Sequence, residues 1–462
     1  MSEHTANIAA SSISLSEPTT APAPVWSSRF AFLAAAVGSA VGLGNIWKFP
    51  YMAGANGGGA FVILYLGMVA VIGVPILIAE LTLGRRGGAA VSRCFGRITG
   101  GKGRLWNALG WLSAGTAIVI LSFYSIVAGW ALAYAVKSVS GSMQGLAPED
   151  YAAHFDTLLA NPGEMIFWQA VILGATASIA AGGVRGGLDR AVRWLMPLLA
   201  LLLVALGVYA AALGDAGAAL RFLFTPDFSA LTPEAALSAA GHAFFTLSLG
   251  VGAMIAYGGY IPEHVSVPRA AAWVALFDTL CALAAGMVIF PIVFAFGLDP
   301  AAGPGLIFVT LPVAFGAMPG GAIAGGLFFT LLVIAALTST LSLIEPMAAS
   351  LANDGASRRV WTLRLTAIAG ALGLVSVFSF NIWSEVRLWD AEKTLFDWLN
   401  HLTTEISLPL GGMGVAIFAG WAAPKTLLRG EFASGKAYRV WRFLIRYVAP
   451  LAVAAVFIHL VI

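Results

Sequence analysis

The sequence predicts an all-α polytopic membrane protein with eleven transmembrane helices. Of its 462 residues, 59% are hydrophobic and only 10% are charged, and the mean hydropathy is +0.88. Apolar runs long enough to cross a bilayer recur along the chain, and two of them are interrupted by paired glycines and polar residues. Because soluble domains are only about 45–50% apolar, this composition excludes that class.

The chain begins with a polar stretch, residues 1–25, which is rich in Ser, Thr, Ala and Pro and has no apolar core. It is predicted to form a disordered cytoplasmic tail rather than a cleaved signal peptide. Eleven apolar runs then have the length of a membrane helix. They span residues 28–53, 58–84, 104–138, 164–181, 188–213, 233–262, 267–298, 321–352, 358–379, 392–421 and 438–461.

The first span does not have the sequence of an ordinary membrane helix. Gly42, Gly44 and Pro50 weaken the helix, and the polar Asn45 lies among them. We therefore expect two half-helices around an unwound segment, whose free backbone groups need an ion or a charged substrate as a partner. The alternative is close helix packing through the small residues Gly38 and Gly42.

A second interrupted helix follows five spans later, at 245–253, again with paired glycines and hydroxyls. Five helices led by a broken helix, and then five more, match the 5+5 inverted repeat of transporters that bind substrate between the two breaks, here in helices 1 and 6. A Gly- and Pro-rich loop at 298–320 is expected to carry short helices or to re-enter the membrane. The predicted domains are the tail at 1–25, a first repeat at 26–214, an inverted second repeat at 215–422, and a cytoplasmic loop with an extra helix at 423–462.

The loops indicate how the bundle is oriented. Most basic residues fall on one side, so by the positive-inside rule the N-terminus is cytoplasmic and the C-terminus lies outside the plasma (inner) membrane. A formal charge of +3 is too small to indicate nucleic-acid binding. Cys94 lies in a basic loop and Cys281 in an apolar helix, which does not fit a disulfide framework.

Polar side chains inside the spans point to a cation site. Asp278 lies in mid-helix, where a charge is costly and usually faces a partner or a pathway; alternatively it is protonated and bonded to a neighbouring helix. Four hydroxyls cluster at 338–342, a pattern that also joins helices. Such oxygen groups suit a small alkali cation. Because no HExxH motif, Walker loop or Cys/His cluster occurs, an ion gradient is the expected energy source.

Four segments resemble the neurotransmitter:sodium symporter family, whose members have the LeuT fold and include bacterial-type sodium-dependent amino acid transporters. They are AVGLGNIWKFPY at 40–51, NGGGAF at 56–61, FFTLSLGVGA at 244–253 and LTSTLSLIEP at 337–346. The resemblance covers about residues 26–461. Gly187 and Pro197 also resemble a family motif that is associated with unwinding of helix 5 on its cytoplasmic side.

The resemblance implies two sodium sites. The ligands of the first are the substrate carboxylate and oxygens of Ala40, Asn45, Thr246 and Asp278. The ligands of the second are oxygens of Gly38, Val41, Ala335, Thr338 and Ser339. Carbonyls and hydroxyls can hold sodium when an unwound backbone pre-positions them.

The resemblance also implies that the substrate binds between the two breaks. Its carboxylate is expected near the amides of Leu43 and Gly44 and the hydroxyl of Tyr124, because a half-helix N-terminus has free N–H groups and a positive dipole. Gly42 stands where monoamine carriers have Asp, which favours an amino acid over an amine. A mostly apolar lining favours a neutral or hydrophobic one. The further expected contacts are Ala40, Ile120, Val127, Phe245, Thr246, Ser248, Val251, Ser339, Ser342 and Leu343.

The anion site of chloride-dependent relatives is changed in this chain. They carry Asn and Ser where it has Asp278 and Ala282, and Asp278 can supply the negative charge beside sodium, so chloride independence is expected. His242 replaces a familiar Gln, although it also fits a neutral packed histidine.

Both gates also depart from the family pattern. At the inner gate, Ala23 and Asn353, beside Asp354, replace the usual Arg and Asp, so closure is expected to rest on packing. At the outer gate a Lys replaces the commoner Arg. The expected gate residues are Trp26, Lys48, Tyr124, Phe245, Tyr260, Asp397 and Asn400.

The predicted function is therefore sodium-coupled import of a neutral or hydrophobic amino acid by alternating access, in a monomer or loose homo-oligomer that is not an enzyme. The main alternative is symport of another small zwitterion, such as a β-amino acid, taurine, GABA or a betaine. Alternatives from other classes are an ion channel, which would give substrate-independent current, and an intramembrane enzyme, which would turn over substrate without a sodium gradient.

Overall fold

The computed structural model describes most of the chain as helices joined by short loops. Residues 1–24 of the predicted tail, which include Ala23 of the inner gate, lie outside the described residues. Asn353 and Asp354 of the inner gate also lie outside them. The described residues are 25–101, 103, 105–303, 305–352, 355–388 and 393–461. Within these ranges the β-structure is one isolated antiparallel bridge between Gly58 and Pro226.

The helices are numbered here in chain order. They are α1 Arg29–Ala40, α2 Gly44–Ala55, α3 Gly59–Gly87, α4 Val91–Ile98, α5 Trp106–Val139, α6 Pro148–Ala160, α7 Pro162–Ala180, α8 Val184–Leu213, α9 Ala216–Phe224, α10 Pro233–Thr246, α11 Ala253–Gly258, α12 Val267–Ala295, α13 Leu306–Ala317, α14 Gly321–Leu351, α15 Gly355–Phe378, α16 Leu395–Ala422, α17 Lys425–Arg429 and α18 435–461. A 3-10 turn at Phe228–Ala230 precedes α10.

The all-helical membrane architecture is confirmed. Within the described part of the chain, eight helices are long and apolar enough to span a membrane, and the bent pair α1 and α2 gives a ninth. The predicted span at 233–262 corresponds to the two short helices α10 and α11. The predicted span at 438–461 corresponds to α18. The total of eleven stays a prediction at these two places. The loop at 298–320 carries α13, as expected of a loop with a short helix.

Both predicted interruptions are present. α1 ends at Ala40, and α2 begins with a π-helical turn and departs from the α1 direction by 49°. α10 ends at Thr246, and α11 begins only at Ala253. Gly250 lies between them with φ at 82°, and a Cβ there would stand 2.2 Å from the carbonyl oxygen of Leu408, so glycine alone fits this close approach.

Helix packing brings the two breaks together at the centre of the bundle. α5 lies along α14, and α1 packs against α8, α12 and α14. α2 contacts α12, and α11 packs on α3. The residues at the helix ends beside the breaks are therefore buried within the bundle, where free backbone groups need partners.

Candidate functional site

A fully buried carboxylate lies next to both breaks. Asp278 on α12 accepts hydrogen bonds from Asn45 Nδ2 at 2.8 Å, Thr246 Oγ1 at 3.0 Å and the Tyr65 hydroxyl at 3.1 Å. Among the described residues, no Lys, Arg or His forms an ion pair with it. A buried carboxylate with only neutral donors must be neutralised by a cation or a proton, so this group is suited to hold a cation.

Asn45 ties the unwound segment of the first span to α12. Its Nδ2 also donates to the backbone carbonyl of Asp278 at 3.0 Å, while its Oδ1 accepts the Gly42 N–H at 3.1 Å. The carboxamide therefore fixes the turn after α1 and places it beside the carboxylate. Three of the four predicted protein ligands of the first sodium, on three different helices, are brought into direct contact.

The backbone between the half-helices approaches α5 and α14 closely. The Leu43 N–H donates to the Tyr124 hydroxyl at 3.0 Å. A Cβ at Gly42 would stand 2.5 Å from Ser339 Oγ and 2.8 Å from the Tyr124 hydroxyl. Because such distances are shorter than van der Waals contact, no side chain fits at position 42 without displacing these groups.

A small cavity of about 40 Å³ lies between the two breaks. Most of the predicted substrate contacts line it, and the sequence did not point to Ser39 or Leu408, which line it too. Leu43 and Val127 line a second, larger cavity instead. The residues around the small cavity are Ser39, Ala40, Gly42, Gly44, Ile120, Tyr124, Phe245, Thr246, Ser248, Val251, Ser339, Ser342, Leu343 and Leu408.

The residues predicted for the second sodium lie where α1 meets α14. A Cβ at Gly38 would stand 3.3 Å from the Thr338 Cβ, so the two helices touch at this point. The Thr338 hydroxyl donates to the Ala335 carbonyl at 2.9 Å within α14. Val41 is buried at the C-terminal end of α1, and Ser339 lies beside the unwound segment. This contact is thus rich in hydroxyl and carbonyl oxygens.

The second cavity has a volume of about 320 Å³ and shares Tyr124 and Phe245 with the small one. These two aromatic side chains therefore separate the cavities. Lys48 Nζ lies 4.9 Å from the centre of the Phe245 ring, within the range of a cation–π contact. The ammonium group is thus placed over the aromatic residue predicted to be the lid.

The outer gate residues share this larger cavity without forming a tight ion pair. Lys48, Asp397 and Asn400 all line it. The Asp397 carboxylate accepts the Thr394 N–H at 2.9 Å and its hydroxyl at 2.7 Å, so it caps the first turn of α16. Within the described ranges, no carboxylate lies within 4.0 Å of the Lys48 ammonium.

An ion pair that sequence reasoning missed lies at the opposite end of the bundle. Arg358 pairs with Glu345, and Tyr260 donates its hydroxyl proton to Glu345 Oε1 at 2.7 Å. The buried Trp26 donates its backbone N–H to the Tyr260 carbonyl at 3.1 Å and packs edge-on against Tyr257. The expectation that this end closes by packing alone is therefore wrong. Besides the predicted Trp26 and Tyr260, the ion pair between Glu345 and Arg358 holds it closed.

Two further polar side chains are buried near the breaks. Glu80 on α3 accepts the Gly250 N–H at 2.7 Å and so supports the second break, a role that the sequence analysis missed. The signal for it is an ionisable residue in an apolar run, as for Asp278. His242 stacks on Phe49 and lies 5.2 Å from the Tyr65 ring, centre to centre.

The comparison with known families and structures agrees with this architecture. The model of the sodium:neurotransmitter symporter family matches residues 23–147 and 151–462. The crystal structure of MhsT in complex with L-phenylalanine is similar, with 42% sequence identity and a TM-score of 0.86, covering 94% of this chain and 99% of that one.

Curated relatives give the same picture. The uncharacterized sodium-dependent transporter YhdH of Bacillus subtilis is 36% identical over 444 residues, covering 94% of this chain and 97% of YhdH. A more distant relative is the sodium-dependent neutral amino acid transporter B(0)AT2 of Bos taurus, 27% identical over 305 residues, covering 58% of this chain and 40% of B(0)AT2.

Proposed function

This chain belongs to the sodium:neurotransmitter symporter family, and we propose that it imports a neutral or hydrophobic amino acid together with sodium. It is a multi-pass sodium-dependent transporter and not an enzyme. One observation carries the proposal on the substrate: the small cavity has hydrogen-bonding groups at the unwound segment and an apolar lining elsewhere. An amino acid with an apolar side chain likewise has a polar end, its carboxylate and amine, and an apolar end.

The polar end of the cavity suits a carboxylate. The amides of Leu43 and Gly44 open the second half-helix, and Tyr124 adds a hydroxyl at 3.0 Å from the first of them. Since the Tyr124 oxygen accepts the Leu43 N–H, the hydroxyl proton is directed elsewhere and can be donated to a carboxylate in the cavity, and such charge-assisted bonds are shorter and stronger than neutral ones. Gly42 provides no carboxylate for an amine substrate, and the contacts of Ser339 and Tyr124 with its backbone leave no room for one.

The other end of the cavity suits an apolar side chain. Ile120, Val251, Leu343 and Leu408 contribute aliphatic groups, and Phe245 contributes its ring. Each methylene group that a substrate buries there contributes about 0.8 kcal/mol. MhsT was crystallised in complex with L-phenylalanine, and B(0)AT2 is named a neutral amino acid transporter, which supports the same substrate class for this chain.

Sodium coupling follows from the charge of Asp278. A cation beside this carboxylate, Asn45 and Thr246 is also adjacent to the substrate carboxylate, so each ligand lowers the free energy of binding the other. A second sodium at Gly38, Val41, Ala335, Thr338 and Ser339 joins α1 to α14. We propose that both sodium ions and the substrate stabilise an occluded state, from which alternating access proceeds. Because Asp278 provides the negative charge, chloride is not required.

A zwitterion other than an α-amino acid is the second candidate. A sodium- and chloride-dependent taurine transporter of Bos taurus is 26% identical over 419 residues. In taurine, GABA and β-amino acids the amine stands farther from the acid group, so the carbonyls around the breaks would have to bind it at a different distance. The higher similarity to MhsT favours the α-amino acid.

A thermal-shift screen of the purified protein tests the substrate class. It uses the twenty amino acids, taurine, GABA and betaine, each in sodium and in potassium, because a ligand that binds the folded state raises its apparent stability. We expect hydrophobic α-amino acids to raise the melting temperature in sodium only. A sodium-dependent shift with taurine or GABA and none with amino acids would replace the proposed substrate by the second candidate.

A further inference from the structure

A basic cleft lies on the outer surface of α8, away from both central cavities. Arg190, Arg193 and Trp194 line it, and its volume is about 370 Å³. Trp194 is 78% exposed, although α8 is one of the helices apolar enough to span a membrane. The cleft therefore opens to the lipid that surrounds the bundle, at the end of α8 where the basic residues lie.

An apolar stripe continues from this cleft along the helix. Trp194, Leu198, Leu201, Val204 and Val208 are all exposed and recur every three or four residues, so they lie on one face of α8. In a membrane such a face contacts acyl chains. The surface thus combines two guanidinium groups at one end with an uninterrupted apolar track, which matches the division of a phospholipid into phosphate and acyl chain.

Arg193 is held in place by a buried acid. Its Nε lies 2.9 Å from Oδ1 of Asp189, a residue with no exposed surface, whose Oδ2 accepts the Ser27 N–H at 3.1 Å. This contact uses one nitrogen of the guanidinium group and leaves its two terminal amino groups for another acceptor. Within the described residues, Arg190 makes no hydrogen bond or ion pair of its own.

We propose that Arg190, Arg193 and Trp194 bind the phosphate headgroup of an anionic phospholipid, whose acyl chain lies along the apolar stripe of α8. The planar fork of arginine binds phosphate oxygens in pairs, and an indole ring is suited to the membrane interface. A zwitterionic headgroup carries its own cation, which two neighbouring arginines repel. The site therefore distinguishes phosphatidylglycerol from phosphatidylcholine.

Lipid binding to the full-length protein can be measured by native mass spectrometry, after titration with phosphatidylglycerol or phosphatidylcholine. We expect tighter binding of phosphatidylglycerol, and a loss on the order of tenfold in the variant R190Q/R193Q. The matched control is R269Q. Arg269 precedes the exposed Trp273 by four residues on α12, as Arg190 precedes Trp194, but Ala272 stands at the position that corresponds to Arg193, so its removal should leave this preference unchanged.

Two further arms keep the test decisive. Retention of the sodium-dependent thermal shift shows that R190Q/R193Q is folded, and R190Q alone, which breaks no described contact, gives the same readout should the double variant fail. Equal binding of both lipids, an unchanged R190Q/R193Q variant, or an equal loss in R269Q would overturn the proposal. Displacement of the lipid by inorganic phosphate at the same concentration would also overturn it, because the site would then recognise a free anion.

Discussion

Asp278 is the residue whose environment is hardest to explain without a bound cation. Its three hydrogen-bond donors, Asn45, Thr246 and Tyr65, are neutral, and within the described ranges no basic side chain pairs with it. Since a charge buried among helices is costly unless it is paired, the carboxylate gives sodium a free-energy advantage at this point.

The substitution Asp278→Asn tests the role of this charge. It keeps an oxygen ligand and removes the negative charge, so sodium-driven uptake in chloride-free medium should fall on the order of tenfold or more. The matched control is Asp299→Asn, the same change in a loop where the carboxylate accepts the Ala301 N–H. Uptake in proteoliposomes measures both variants. Wild-type uptake by D278N without chloride would remove the proposed anionic role.

Thr338 tests the second sodium site. Thr338→Ala removes a proposed ligand at the contact of α1 with α14, and we expect the sodium concentration for half-maximal substrate binding to rise about tenfold. Thr330→Ala is the matched control, because Thr330 makes the same type of hydroxyl bond within α14, to Gly326 at 2.7 Å. Equal sodium dependence of the two variants in a binding assay would argue against the assignment.

At the residue scale, the sequence pointed to the groups that the structure brings together around Asp278, because a polar residue in an apolar run is visible without knowledge of the fold. It did not show which partners those groups choose. Glu80 lies 170 positions before its hydrogen-bond partner, Gly250. Likewise the resemblance pointed to an absent gate pair at positions 23 and 353, whereas Glu345 on α14 and Arg358 on α15 form an ion pair that it did not indicate.

At the scale of helices, the breaks themselves carry the polar chemistry. The first break is held by Asn45, and the second by Glu80, which accepts the Gly250 N–H where the backbone is left-handed. Gly42, Gly44, Gly250 and their polar neighbours made both interruptions predictable, since glycine weakens a helix in any context. The angle of 49° between α1 and α2 depends on packing against distant helices and could not be read from the sequence.

The support of the second break by Glu80 can be tested by comparing two substitutions. Glu80→Ala leaves the buried Gly250 N–H without its acceptor and should lower stability by about 1–3 kcal/mol. Glu80→Gln retains a carbonyl oxygen at the same position, so it should melt close to the wild type. The melting temperature of each purified variant in sodium gives the answer. If E80A and E80Q melted together, the hydrogen bond to Gly250 would not be what stabilises the break.

At the scale of the whole molecule, the two ends of the bundle are closed to different degrees. The cavity above Tyr124 and Phe245 reaches the outer gate residues, where Lys48 has no tight partner among the described groups. The other end is joined by Trp26, Tyr260, Glu345 and Arg358. This asymmetry fits one state of an alternating-access cycle, in which the end that carries Trp26 is shut.

Removing one partner of the pair should open that end. Glu345→Gln leaves Arg358, whose side chain is 12% exposed, without its counter-charge, so we expect faster hydrogen exchange at residues 29–40 and 253–258 than in the wild type. The control is Arg364→Gln, which removes one charge of the opposite sign from a side chain of α15 that stacks on Trp361. Unchanged exchange in E345Q, or the same increase in R364Q, would show that the pair does not hold the end closed.

The most direct test of sodium-coupled amino acid transport is uptake into proteoliposomes that contain only this protein. With an inward sodium gradient, a labelled hydrophobic amino acid such as L-phenylalanine should accumulate inside above its outside concentration. The accumulation should disappear when potassium replaces sodium, and it should persist without chloride. Sodium current without any amino acid, or amino acid entry that only equilibrates and ignores the sodium gradient, would contradict the proposed symport.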